Sequence, residues 1–260
     1  MNEINIYKFD NNIKVNYTNR KVSLPKDYSD SIEEYWESIL KDGKKFFRGD
    51  VFTITNIGRK DNDVIISVEQ TDYAHFLYTI HRGQYDKYDC KVIYTSVLVE
   101  TSDGKFAIGI MGKDTCAPEK LQLVGGGIDK EDINGDMLDL EHNIKKEISE
   151  ELGIDINGKN IVKGFKPYLL KDGGKTNFLA AIFKLDLAID ADEFKDKFNK
   201  YNNSLIEQGI SPELSSLLML EADQHEIENF INSNFRETDE NLIPTLKAAV
   251  GLVHVKTLFE

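Results

Sequence analysis

The run Lys146-Glu147-Ile148-Ser149-Glu150-Glu151-Leu152-Gly153-Ile154 holds the residues of this chain whose types and spacing could do chemistry. Glu147, Glu150 and Glu151 stand at i, i+3 and i+4, and a helix turning about 100° per residue carries all three side chains on one face. Like charges so placed repel by a few tenths of a kcal/mol per pair, about 0.2–0.5. A bound cation removes that cost, and Mg²⁺ is the usual choice for carboxylate oxygens working near phosphate. Upstream lies Gly125-Gly126-Gly127, a turn that can bring its backbone close to a metal or a phosphate. An acidic helix face in so acidic a chain is ordinarily a solvated face. The order Lys-Glu-Ile-x-Glu-Glu-x-Gly-Ile behind a triple glycine is far narrower than three carboxylates at those spacings.

These residues resemble the Nudix box of the Nudix hydrolases. That box reads Gly, five residues, Glu, seven residues, then Arg-Glu-U-x-Glu-Glu-x-Gly-U, with U aliphatic. Its second half matches over Lys146 to Ile154, with Lys146 where the family has Arg. In its first half the chain departs from the pattern. Gly126 and Lys146 stand 20 apart where the family has 14, so six extra residues sit in the loop, within Asp129 to Leu140. Counting back from Lys146 for the first Glu of the box lands on Leu138, with Asp139 and Glu141 nearby.

The resemblance implies an α/β/α sandwich around a mixed sheet over residues 91–260, with 1–90 as a small α+β N-terminal domain. It implies Mg²⁺-dependent hydrolysis (Mn²⁺ being the alternative) of the diphosphate bond in a nucleoside diphosphate linked to another group. Carried over residue by residue, Glu147, Glu150, Glu151 and the Gly125 carbonyl would be the metal ligands. Glu150 and Glu147 would be catalytic with Lys146, standing in for the Arg that orients the helix glutamates. A Lys makes that link as a point charge, without a bidentate fork. Many members place one more Glu on a loop outside the box, and Glu207 and Glu213, before the apolar run 214–220, are the candidates. The partner is a small-molecule nucleotide, and a homodimer is a common assembly. Thr71-Asp72-Tyr73 with Phe76-Leu77 resembles the region before the Nudix domain in UDP-sugar-hydrolysing members, which tilts the substrate toward a nucleoside diphosphate sugar. Two other readings share the fold: a non-catalytic domain that binds a nucleotide for regulation, and an isoprenoid diphosphate isomerase. The intact carboxylates speak against the first. The second needs a cysteine in an apolar pocket, and Cys116 lies in a charged loop.

Composition narrows the class. The chain has 260 residues and a net charge of −13, which disfavours nucleic-acid backbones as partners. An anionic substrate is repelled too, unless a cation screens the site. The two cysteines, Cys90 and Cys116, form no CxxC pair and no disulfide framework. The N-terminus has neither the basic start nor the apolar run of a signal peptide, and no run is long enough to span a bilayer, so the chain reads as cytoplasmic.

The positioning elements follow from periodicity. Helices are predicted over 29–40, 71–79 (capped by Thr71 or Asp72), 141–152, 191–201, 223–231 and 242–258. Hairpins are predicted over 50–57 with 63–68, 91–100 with 105–111, and 161–170 with 176–185. Residues 121–124 form a strand feeding the glycines, and 214–220 form a buried strand. Ile144, Ile148 and Leu152 recur every four residues and face the core, and Gly153 ends the helix. No His pair has metal-ligand spacing. His142, one turn before Lys146, reads as a surface or core residue. Phe165, Tyr168 and Phe178 either stack on a base or line the core, and the core suits most of them.

Overall fold

The computed structural model describes residues 2–10, 13–43, 46–61, 63–83, 86–115, 117–234 and 236–258, so Cys116 lies outside the described residues. In chain order the elements are β1 (Asn2–Lys8), β2 (Ile13–Lys21), α1 (Lys26–Lys41), β3 (Asp50–Lys60), β4 (Asp63–Asp72), α2 (Tyr73–Arg82), β5 (Ile93–Glu100), β6 (Lys105–Met111) and β7 (Leu121–Gln122). A 3-10 turn (Lys130–Asp132) then leads to β8 (Ile133–Asn134), β9 (Met137–Leu138), α3 (Leu140–Leu152), β10 (Val162–Gly174), β11 (Leu179–Leu187), α4 (Ala191–Glu207), β12 (Leu214–Glu221), α5 (Gln224–Ser233) and α6 (Leu242–Ala249).

The first sheet runs β1-β10-β11-β5-β6-β12, with β7 beside β6. β11 and β5 are parallel and the other pairs antiparallel, so the sheet is mixed. Successive side chains of a strand point to opposite faces. Along β5, Val97 and Val99 join one core, with Ile144, Ile148 and Leu152 of α3 and Phe194 and Phe198 of α4. Leu98 joins the other, with Ile227 of α5 and Leu242 and Leu246 of α6. Helices therefore cover both faces, which is the α/β/α sandwich expected from the sequence.

The second sheet runs β3-β4-β2-β9-β8, and its buried Val15, Phe52, Val64, Ile66 and Val68 complete the core that α3 packs on. α1 and α2 pack on each other through Ile32, Trp36 and Ala74. The two sheets exchange strands along the chain. β1 pairs with β10 in the first, while β9 pairs with β2 in the second, Val15 opposite Leu138 and Asn16 opposite Met137. The six extra residues thus lie in a segment that folds as a 3-10 turn and a short hairpin, and ties the box loop to the N-terminal sheet. Two-residue strands carry no periodic signal, which is why the sequence shows only a loop there.

Several elements differ from the sequence reading, among them α1 (predicted over 29–40) and α2 (predicted over 71–79) at their ends. α4 continues to Glu207, so Glu207 belongs to a helix and not to a loop. The 214–220 strand is an edge strand in which only Leu214 and Leu217 are buried. α6 stops at Ala249, just before Gly251 at φ +77°. No described helix is long and apolar enough to cross a membrane.

α3 is held at both ends. The Asp139 side chain accepts from the His142 N–H at 2.9 Å, and Gly153 closes the helix at φ +67°. A β-carbon at Gly153 would lie 2.5 Å from the Tyr201 ring, whose hydroxyl donates to the Glu150 carbonyl at 2.7 Å. Ile148 has no exposed surface. We expect Ile148→Ala to cost about 2–5 kcal/mol of unfolding free energy, measured by urea denaturation. Ser149→Ala, on the solvated side of the same helix, should stay within about 0.5 kcal/mol.

Candidate metal-binding and active site

The site begins where β5 and β6 part. They pair only at Val99–Ala107 and Glu100–Phe106. Residues 121–127 fill the gap beyond, with Leu121 and Gln122 beside Ile110 and Gly109, and Val124 and Gly127 bridged to Val97 and Tyr94. The Val97 N–H donates to the Val124 carbonyl at 2.8 Å and the Thr95 N–H to that of Gly126 at 3.1 Å. Among the described residues no backbone N–H donates to the Gly125 carbonyl.

This passage demands glycine at Gly125 and sets Gly126 close against a carboxylate. Gly125 sits at φ +152°, and a β-carbon there would lie 2.1 Å from the Thr95 carbonyl oxygen. At Gly126 it would lie 2.4 Å from Glu147 Oε1. The Glu147 carboxylate therefore rests directly against the glycine backbone.

A buried polar knot fixes the passage. Asn143 Nδ2 donates to the Gly127 carbonyl at 2.9 Å and to Asp132 Oδ2 at 2.9 Å, and Asn143 Oδ1 accepts from the Thr95 hydroxyl. The Asp129 N–H donates to the same Asp132 oxygen at 2.9 Å. β5, the glycines, the 3-10 turn and α3 are thereby joined at one fully buried carboxamide.

Asp132 was missed in the sequence, and a count forward would have found it. Gly126, five residues, then Asp132 matches the first half of the box pattern. The extra residues fall after Asp132, so counting back from Lys146 missed it. Leu138 is in β9, Asp139 caps α3, and Glu141 pairs with Lys145 at 2.6 Å. Lys146 reaches Asp129 at 3.1 Å, tying the helix to the loop, and lies close enough to Asp132 and Glu147 for their charges to raise its pKa.

The box carboxylates crowd one another. Burial pushes Glu151 up to about 9, helped by the negative Glu213, Glu147 and Glu150. The Gly125 N–H draws it down in part, yet neither Glu151 oxygen has a hydrogen bond of good geometry, although the residue is only 6% exposed. Burial pushes Glu147 up to about 7, against the pull of Lys146. Glu213 is raised by burial and by Glu150. Of the two loop candidates, Glu213 joins this cluster. Glu207 is exposed at the end of α4, and the shifts of the box carboxylates include no contribution from it. His142 is exposed, with its backbone capped by Asp139.

Buried oxygens without donors, amid like charges, are groups that a cation could satisfy. An all-oxygen donor set suits a hard ion such as Mg²⁺ or Mn²⁺. No three His, Cys, Asp or Glu side chains among the described residues converge on one point. The cluster is a gathering of like charges, not a formed coordination shell.

On the other face of β5 lies a cleft of about 570 Å³, lined by Tyr94, Ser96 and Gly125 to Gly127. Its wall is aromatic. Tyr73 stacks on Phe76 with centroids 5.4 Å apart, Phe76 on Phe178 at 5.3 Å, and Tyr94 meets Phe178 edge-on at 6.2 Å. The N-terminal segment thus supplies part of the wall through α2. Phe165 stacks on Phe183 in the core, and Tyr168 packs in the second core.

No family model matches the chain, and no curated protein matches it. Solved structures do. A Nudix hydrolase from Nitrosomonas europaea is 11% identical, with a TM-score of 0.36 over 64% of this chain and 92% of the other. A Bacillus subtilis pyrophosphohydrolase is 13% identical, with a TM-score of 0.35 over 60% and 78%. The Nudix domain of a Shewanella oneidensis protein, NrtR, complexed with ADP ribose, is 10% identical, with a TM-score of 0.34 over 65% and 95%.

The raised Glu151 fixes a sign. Its folded pKa of about 9 exceeds an unfolded value of about 4.3, so between these the folded chain holds a proton that the unfolded chain has lost. That contribution is complete below about pH 4 and fades as pH rises to about 9. In EDTA, the thermal midpoint of Glu151→Gln should exceed that of the parent at pH 9, and the gap should narrow by pH 5. Calorimetric scans showing parallel pH profiles would contradict this.

Proposed function

We propose that this chain is a Nudix hydrolase that cleaves the diphosphate bond of a nucleoside diphosphate linked to another group, with Mg²⁺ or Mn²⁺ as its metal. The observation that carries the reading is the buried Glu151 carboxylate, without a hydrogen-bond partner, crowded by Glu147, Glu150 and Glu213 beside the glycine passage. Glu147, Glu150, Glu151 and the Gly125 carbonyl would hold the cation. When bound it would neutralise charge on the diphosphate oxygens and lower the pKa of water.

The chain's own residues do the rest. Gly125 and Gly126 let a phosphate approach the backbone without meeting a side chain. Lys146 and Asn143 hold α3 and the loop in register, so that the glutamates keep their places. Glu213, outside the helix and raised by burial, suits the role of proton acceptor from the attacking water. The −13 charge of the chain repels the substrate, and so favours binding only when the cluster is neutralised. Tyr73 and Phe76 lie in the segment that resembles UDP-sugar-hydrolysing members and both line the cleft, which supports a nucleoside diphosphate sugar as substrate.

A panel of UDP-glucose, ADP-ribose, NADH, diadenosine polyphosphates and nucleoside triphosphates, incubated with Mg²⁺ and read by mass spectrometry, tests this. At least one compound should be cleaved in a metal-dependent way. Glu150→Gln and Glu151→Gln should each lower kcat by about a hundredfold or more, about 2.7 kcal/mol, with circular dichroism unchanged. Glu213→Gln should slow the reaction, while Glu207→Gln should not. Full activity in Glu150→Gln would refute the assignment.

A further inference from the structure

A second cavity, of about 780 Å³, lies where β1 and residues 253–256 meet α2 and α6. Neither the glycine passage nor the box glutamates line it. β1 forms one wall, as an edge strand of the first sheet. The segment 253–256 forms another and is tied to β1 through its backbone. The Lys256 N–H donates to the Ile6 carbonyl and the Lys8 N–H to the Lys256 carbonyl, each at 2.8 Å. Asp239 and Glu240 stand between this cavity and the aromatic cleft, and line both.

The walls carry two chemistries. Ile4 and Ile6 of β1, Ile80 of α2, and Ile243 and Pro244 of α6 are aliphatic. Ile4 and Ile80 are each 40% exposed, so water meets apolar surface inside a concave site. Lys120, Lys175, Lys247 and Lys256 bring ammonium groups to the same cavity, on a chain of net charge −13. The carboxylates there are largely engaged. Asp239 caps α6, accepting from the Asn241 N–H at 2.7 Å and the Leu242 N–H at 2.6 Å, and burial pushes its carboxyl up. Glu240 accepts from the Thr176 N–H and hydroxyl, and pairs with the fully buried Lys171 at 3.4 Å. Glu237 faces Lys120 at 3.9 Å, and Glu3 is exposed. Lys256 donates to the neutral Asn5 carboxamide at 2.6 Å, and Lys247 pairs with no carboxylate among the described residues.

Ammonium groups beside exposed aliphatic side chains suit a ligand with an anionic head and an aliphatic body. An inorganic anion leaves the isoleucines in water, and an uncharged hydrocarbon leaves the lysines unanswered. Stacking has little share, since no Phe, Tyr or Trp among the described residues lines the cavity. Its volume falls in the range of small-molecule sites, about 300–1,000 Å³. We propose that this cavity binds an amphipathic anion, an aliphatic chain ending in a carboxylate or phosphate, with the head against Lys247 and Lys256 and the chain along Ile4, Ile80 and Ile243. The site stands apart from the hydrolase reading and does not rest on it.

The test is calorimetric titration of the full chain, in EDTA and below micellar concentrations, with hexanoate, decanoate, decyl phosphate, decanol and inorganic phosphate. Each buried methylene adds up to about fourfold in affinity, so decanoate should bind at least about tenfold tighter than hexanoate. The better of decanoate and decyl phosphate should bind tenfold or more tighter than decanol and inorganic phosphate, and which of the two leads names the head group. Ile80→Ser should weaken decanoate and decanol alike. Lys247→Gln should weaken the two long-chain anions severalfold and leave decanol unmoved. Ile80 is exposed and Lys247 half-buried, and thermal scans confirm that both variants fold; Ile4→Ser and Lys256→Gln stand in for either that does not. Equal affinity for hexanoate and decanoate overturns the site. So does decanol or inorganic phosphate binding as tightly as the better anion, or anion affinity indifferent to either substitution.

Discussion

Residues 124–127 must pass between β5 and α3 where the β5 backbone leaves no room for a β-carbon at Gly125. Much of the site depends on that passage. It holds β5 and β6 apart and lets the Glu147 carboxylate lie on backbone. It presents the Gly127 carbonyl to Asn143, and so ties α3 to the sheet by a hydrogen bond as well as by apolar packing. One edge of the passage meets the carboxylates of α3, and the other lines the aromatic cleft. The carboxylates thus lie on one side of the passage and an open cleft on the other.

Against this steric constraint stands an electrostatic one. Packing four glutamates together in a chain of net charge −13 works against folding, and burial raises three of them above their ordinary range. A bound cation, as proposed, would relieve that repulsion. Asp132 takes a different course. Buried in the same region, its Oδ2 is held by Asn143 and the Asp129 N–H and anchors the loop, while its Oδ1, like the Glu151 oxygens, is buried without a partner.

The segment carrying the extra residues of the box loop has a structural consequence. Folded as β8 and β9, it extends the second sheet through Val15 and Asn16. The N-terminal segment is thus joined to the box loop by backbone hydrogen bonds as well as by a shared core. The same segment sends α2 to the cleft, where Tyr73 and Phe76 form part of the wall.

The sequence by itself determined the box helix, its glycine stop and its core stripe, because 3.6-residue periodicity and a terminal glycine are local signals. It also singled out Glu147, Glu150 and Glu151 by spacing along one helix. Tertiary structure decided what depends on approach between distant segments. It brought Glu213 to the cluster and left Glu207 outside, because α4 ran six residues further than its apolar spacing indicated. It showed why Gly125 must be glycine, since the Thr95 carbonyl presses on it only in the fold. It turned Lys146 to Asp129, and placed Phe178 and Tyr94 beside Asn241, 63 positions beyond Phe178 in the chain. Local spacing fixes which side chains share a face, but only packing fixes which faces meet.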